Sequence, residues 1–158
     1  MGVTTITINT LPHKIDRCIY KDENTTTKKL GFRITGYIFK DENGEIIEKE
    51  FKPHGKAKEE MVPGIFENLL KSGGRGETNA EALAFYKRRC SEILDFFQNH
   101  NSRSITGSSL LIILDNAQNH YDMRIIDVCS MKEFDDLNER DEGYIKGISN
   151  ILEILNKL

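Results

Sequence analysis

Residues 108 to 128 hold the side chains whose types and spacing are best suited to chemistry. Ser108-Ser109-Leu110-Leu111-Ile112-Ile113-Leu114-Asp115 and Met123-Arg124-Ile125-Ile126-Asp127-Val128 are two apolar, β-rich runs. A polar segment, Asn116-Ala117-Gln118-Asn119-His120, follows the first, so the pair reads as a hairpin. The second run delivers a carboxylate, Asp127, at the end of what the pattern predicts to be a buried strand. An acid fixed by a strand can hold Mg²⁺ against the phosphates of ATP. An Asp after an apolar run can equally end the strand and start a turn. Ser108 and Ser109 can orient nucleotide phosphate or metal-bound water through their hydroxyls, or can serve ordinary strand hydrogen bonds.

A second set is cationic. Lys14, Arg17 and Lys21 are spaced i, i+3 and i+7, which places them along one face of a helix. A ligand with several phosphates needs such a multidentate array, because one exposed cation against one phosphate is weak and screened. The bland alternative is a solvated face opposite Ile15 and Ile19. Lys56 and Lys58, near Gly55, are either further phosphate contacts or plain exposed lysines. Ser72-Gly73-Gly74-Arg75-Gly76 lacks a Gly-Lys-Ser/Thr ending and follows no strand, so it reads as an interhelical loop. His13, His54, His100 and His120 have no metal-ligand spacing, and no Ser/His/Asp or Cys/His arrangement stands out.

The elements that must position these groups fit one domain. A chain of 158 residues, 38% hydrophobic and 30% charged, has the size and composition of a soluble globular domain with a core. The net charge of −3 hides a slight basic excess before residue 108 and a clear acidic excess after it. Anion-binding groups therefore lie in the first two thirds and the metal-ligand candidate at the acidic end, and nothing supports bulk nucleic-acid binding. No apolar run approaches the roughly 20 residues that cross a bilayer, and there is no signal-peptide profile. The expected compartment is intracellular, cytoplasmic or nuclear. Cys18, Cys90 and Cys129 have no Cys-x-x-Cys spacing and read as reduced thiols.

Residues 11 to 21 predict a short amphipathic helix with Pro12 near its start and Ile15, Cys18 and Ile19 on its apolar side. Leu30 to Phe39 reads as a strand, turned by Asn43-Gly44 into Glu45-Ile46-Ile47. Met61, Val62, Ile65, Phe66 and Leu69 recur at helical spacing, predicting a helix from near Glu60 or Pro63. Thr78-Asn79-Ala80-Glu81 has the form of a capping box ahead of a helix burying Leu83, Tyr86, Cys90, Ile93, Leu94 and Phe97. A last helix starts near Asp141 and buries Tyr144, Ile148, Ile151, Leu152 and Leu155.

Several of these segments, in this order, resemble the inositol polyphosphate kinase family. The hairpin is similar to its Ser-Ser-Leu-Leu and Ile-Asp-Phe motifs, with Val128 in place of Phe. Leu30-Gly31-Phe32-Arg33-Ile34-Thr35-Gly36 looks like its Gly-Phe-Arg-x-x-Gly strand, and His54-Gly55-Lys56 like its Tyr-Gly-Arg or Phe-Gly-Arg segment. Asp141-Glu142-Gly143-Tyr144-Ile145-x-Gly147 looks like its Asp-x-Gly-Tyr-x-x-Gly helix start. The resemblance implies a protein-kinase-like α+β fold of two lobes, with ATP in the cleft and an inositol phosphate against the larger lobe. It implies Asp127 as the Mg²⁺ ligand and, on the first helix, a substrate site at Lys14, Arg17 and Lys21. Val128-Cys129-Ser130 replaces the usual Phe-Ala-His, whose histidine serves the substrate site in relatives. The family signature Pro-x-x-x-Asp-x-Lys-x-Gly would end at Met1-Gly2, so residues 1–158 are expected to form the larger lobe only. On that expectation the implied activity is transfer of the ATP γ-phosphate to an inositol phosphate. The alternative is a truncated, inactive chain that binds an inositol phosphate or associates with a kinase, and that self-associates through uncovered surface.

Overall fold

A computed structural model describes residues 1–7, 9–41, 43–50, 57–71, 76–116 and 118–158. His54-Gly55-Lys56 and residues 72–75 of the glycine-rich segment lie outside them. Within the described residues the fold is α+β: five α-helices and six short strands, all strand pairs antiparallel.

The core forms where two long amphipathic helices meet, α4 (Ala80–Asp95) and α5 (Glu142–Asn156). Tyr86, Cys90 and Ile93 recur along one face of α4, and a π-turn, Phe96–His100, carries Phe97 into the same stripe. Tyr144, Ile148, Ile151 and Leu155 form the facing stripe of α5. The Phe97 and Tyr144 rings stack with centroids 4.0 Å apart. Burial pushes the Cys90 thiol up to about 12 and the Tyr144 hydroxyl up to about 12, as expected for acids whose anions would be desolvated.

Both helices start on side-chain caps. Asp141 Oδ1 accepts from Tyr144 N at 2.9 Å, while its Oδ2 accepts from Ile105 N at 2.7 Å. At α4 the cap is Asn79, one residue beyond the predicted Thr78; its Oδ1 accepts from Ala82 N at 3.0 Å. Asn79 wins because its amide also donates to Asn116 and, at 3.3 Å, to Tyr121 Oη, locking the helix start to the hairpin loop.

The helices are covered by the predicted hairpin, β4 (Ser109–Asp115) and β5 (His120–Ile126). Leu110, Ile112, Leu114, Tyr121, Met123 and Ile125 face the core. Leu111 and Ile113 of β4 and Ile126 of β5 point away and stay substantially exposed, as does Arg124, so the strand before Asp127, expected to be buried, is buried on one face only. Tyr86 Oη donates to Ile113 O at 2.5 Å and pins the ribbon to α4. Two strands had no sequence signal, β3 (Arg103–Ile105) and β6 (Met131–Glu133), each too short and polar to show alternation.

The first third of the chain is attached differently. Helix α1 (Pro12–Asn24) is longer than predicted and its apolar side is only partly covered: Ile15 and Cys18 are half-buried, Ile19 is exposed, and Asp22 is its one buried residue. The predicted strand from Leu30 begins late. Thr27–Leu30 forms a helical turn, α2, closed by Gly31 at φ 74, and β1 runs only over Gly36–Lys40. Gly31 packs on α5 so closely that a Cβ on Gly147 would lie 2.5 Å from Gly31 O. The hairpin of β1 with β2 (Ile46–Glu50) turns at Gly44, φ 81, as the Asn-Gly signal predicts. A 3₁₀ turn over Glu59–Met61 leads into α3 (Val62–Lys71), with Pro63 in its first turn.

Candidate active site

The two ladders β3–β6 and β4–β5 are one ribbon with a fault in the middle. Ile105 pairs with Met131 and Ser109 with Ile126. Between those pairs residues 106–108 on one strand oppose 127–130 on the other, so the second strand carries one extra residue. That is a β-bulge, and Asp127 sits at it with φ 59, a left-handed conformation that Asp tolerates better than most side chains. A bulge bends the strand and re-aims the side chain at that point. Asp127 is thereby exposed, past the Ser109–Ile126 pair.

Ser108 and Ser109 occupy the opposite strand at the same end, after Gly107 at φ 77. They differ in accessibility. Ser108 is 2% exposed; its hydroxyl faces Tyr144 Oη at 3.3 Å and its carbonyl accepts from Met1 N at 2.7 Å. Ser109 is partly exposed at the strand start. Both line a cavity of about 720 Å³ between β4, β1 and α3, walled mainly by Tyr37, Phe39, Ile65, Phe66 and Ile112.

Lys14, Arg17 and Lys21 lie on α1 as the spacing predicts, Lys14 and Arg17 exposed and Lys21 half-buried. Seven residues of helix separate the first from the last by about 10 Å along the axis. They form a ladder of charge, not one converging cluster. None of the three lines the cavity. The segment before α1 bridges the two places: Met1 is bonded to Ser108, and Thr5 N donates to Asp22 Oδ2 at 2.7 Å. Four residues of extended chain span at most about 14 Å, so the Lys21 end of α1 is held near the serine end of the ribbon.

Arg33 and Lys49, two cations on the cavity wall, were not singled out from sequence. Arg33 donates from its guanidinium to Thr27 Oγ1 at 3.3 Å, and the same nitrogen stands 3.9 Å from Asp22 Oδ1. Its signal was present: it is the Arg of the Gly-Phe-Arg segment, read there as a strand marker only.

Asp127 has no partner acid set. Among the described residues no group of three or more His, Cys, Asp or Glu could hold a metal ion. A lone exposed carboxylate does not make an all-protein cage, but it suits a Mg²⁺ that keeps its waters and takes its other ligands from phosphates.

A family model for inositol polyphosphate kinase matches residues 1–156. The chain belongs to the inositol polyphosphate kinase family. Solved inositol phosphate multikinases share its fold. One, from a structural and protein-engineering study, superposes with a TM-score of 0.81 at 18% identity, covering 99% of this chain and 76% of that one. Another, the S. cerevisiae enzyme in complex with ADP and Mn²⁺, gives 0.77 at 17% identity, covering 99% and 75%. No curated protein sequence matches significantly. Further among the described residues, no helix is long and apolar enough to cross a membrane.

Proposed function

We propose that this member of the inositol polyphosphate kinase family transfers the γ-phosphate of ATP to a hydroxyl of an inositol phosphate. The observation that carries the reading is the bulge that leaves the Asp127 carboxylate exposed, one residue past the Ser109–Ile126 pair, in a chain of this family. Bound there with the nucleotide, Mg²⁺ would neutralise charge on the phosphates, consistent with the ADP and Mn²⁺ held by the S. cerevisiae relative. Asp127 would hold the metal on the protein's side, and the Ser109 hydroxyl would hydrogen-bond a phosphate oxygen or metal-bound water. Ser108, turned toward Tyr144, sets the strand end and touches no ligand.

Phosphoryl transfer asks the protein mainly for position and charge. The inositol hydroxyl oxygen forms a bond to the γ-phosphorus as the bond to the ADP oxygen breaks, and the hydroxyl proton leaves to solvent. On the substrate side Lys21 and Arg33 take the phosphates nearest the ribbon, while Arg17 and Lys14 extend the cationic track up α1. The exposed outer face of the ribbon, Leu111 and Ile126, offers an apolar floor for the adenine.

Calorimetry with inositol hexakisphosphate at low salt tests the substrate half. The wild-type chain should bind, and replacing Lys14, Arg17 and Lys21 together by Ala should weaken binding at least about a hundredfold. Replacing Lys87 and Arg88 on α4 should leave it nearly unchanged. Equal losses from both sets would show diffuse attraction and overturn the assignment.

A further inference from the structure

Helix α1 presents a physical contradiction: none of its apolar residues is buried, Ile19 and Tyr20 being exposed and Ile15 and Cys18 half-buried, while a carboxylate, Asp22, is 5% exposed. Burying an acid is costly unless its oxygens are satisfied. Here they are. Asp22 Oδ1 accepts from Thr5 Oγ1 at 2.9 Å, and Oδ2 accepts from Thr5 N at 2.7 Å and Thr4 Oγ1 at 3.1 Å. All those donors belong to the segment joining α1 to the Ser108 end of the ribbon. The remaining neighbour is the Arg33 guanidinium at 3.9 Å, a separation that gives attraction without a short hydrogen bond.

We propose that Asp22 is the positioning residue that holds Arg33 against the cavity wall as a ready-made phosphate receptor. The inference rests on the inositol phosphate reading above and names the device that readies its site. Arg33 has five N–H donors. Thr27 takes one and Asp22 faces the same nitrogen, so the rest of the fork is aimed elsewhere and can meet a phosphate bidentately. Thr27 is itself buried and its hydroxyl lies 2.9 Å from that of Thr25, so the second support is rigid. A guanidinium held this way has lost part of its rotamer freedom before ligand arrives, and that part is not charged to binding. Asp22 repels a phosphate only weakly in return, since it lies behind the guanidinium and spreads its charge over three donors. The polar anchor thus explains how a partly covered helix is kept in place, and why the anchor is an acid when a buried leucine would pack as well.

The test uses the full chain, inositol hexakisphosphate as probe, and the variants Asp22→Asn, Arg33→Ala and the double. Asp22→Asn keeps the shape and removes the charge. It should weaken binding about tenfold, the effect of freeing one rotamer-rich side chain. Arg33→Ala should weaken it at least as much, and the double variant should bind no worse than Arg33→Ala alone, because Asp22 acts only through Arg33. Additive losses, or an Asp22→Asn protein that binds like wild type, would overturn the proposal. A readout without ligand separates this proposal from the kinase reading. In ¹⁵N spectra the Arg33 side-chain signals should be distinct in wild type and motionally averaged in Asp22→Asn, whether or not inositol hexakisphosphate binds; unchanged signals would overturn the positioning role by themselves. Should Asp22→Asn fail to fold, Arg33→Lys serves instead. It keeps the charge but has no planar fork to be held by Thr27 and offered bidentately to a phosphate, so it should lose the same tenfold, and undiminished binding would count against the device.

Discussion

Helices α1 and α5 both carry a periodic apolar stripe, and only α5 buries it. Tyr144, Ile148, Ile151 and Leu155 meet α4 and the inner face of the ribbon, whereas Ile19 on α1 meets solvent. Periodicity states which side of a helix would be buried if a surface stood opposite; it does not supply that surface. What holds α1 is polar and specific: the Asp22 network, with α2 beside it and Gly31 seated on Gly147. The chain thus divides into a core held by packing and a first third held by a few directional contacts.

The widest gap between the two should appear on truncation. Ile148→Ala should cost about 2–5 kcal/mol, through lost transfer energy and a residual cavity, while Ile19→Ala should stay within about 0.5 kcal/mol. Urea titration of both variants measures this. Similar losses would mean that α1 is packed in solution and would erase the contrast.

Alkaline pH should strike the same core. The Cys90 thiol stands at about 12 against an ordinary 9.0, and the Tyr144 hydroxyl at about 12 against 10.0. A pKa raised by folding gives stability that is complete below the unfolded value and lost as pH climbs to the folded one. Stability should therefore fall above pH 9 and on toward 12, by about 1.4 kcal/mol per pH unit for each group that titrates only when unfolded. Cys90→Ala should make that limb shallower at its lower end. An identical slope would show that the thiol is not the group responsible.

The core was legible in advance because its signals agree. The α4 stripe, the Asp141 cap and the Ser108–Asp127 hairpin each combine a periodicity with a capping or turn signal, and each is found where it was read, save that the α4 cap falls one residue on, at Asn79. The site was legible only as a set of residue types. Nothing in the spacing of Lys14, Arg17 and Lys21 shows that they stand off the cavity, nor that Arg33 lies on its wall. Those facts depend on contacts between residues far apart in sequence, Thr5 with Asp22 and Gly31 with Gly147. The strand expected from Leu30 failed for the same reason: Gly31 serves a close approach to α5, and β-rich composition around it says nothing of that.

That glycine contact gives a smaller, sharper perturbation. Gly147→Ala places a methyl against the Gly31 carbonyl and should cost about 1–3 kcal/mol, with the added effect of displacing α2 from α5. The inositol hexakisphosphate affinity should fall with it, unlike in Ile19→Ala. A stable Gly147→Ala protein with full affinity would show that the first third is placed by something else.

The smallest effect belongs to the bulge. Asn accepts a left-handed backbone and Ala resists it, so Asp127→Ala should be less stable than Asp127→Asn by about 1 kcal/mol. Equal melting of the two would argue that the residue is not left-handed in solution.

Because Asp127→Asn keeps that backbone, it isolates the carboxylate, and ADP binding in the presence of Mn²⁺ is the most direct test of the central claim. Titration of the wild-type chain should show nucleotide binding that requires the metal and broadening of signals around Ser109 and Ile126 by the paramagnetic ion. Asp127→Asn should lose the metal requirement and the broadening while leaving inositol hexakisphosphate binding within about twofold, since a phosphate site held by cations does not depend on this acid. Metal-dependent ADP binding that survives unchanged in Asp127→Asn would contradict the account.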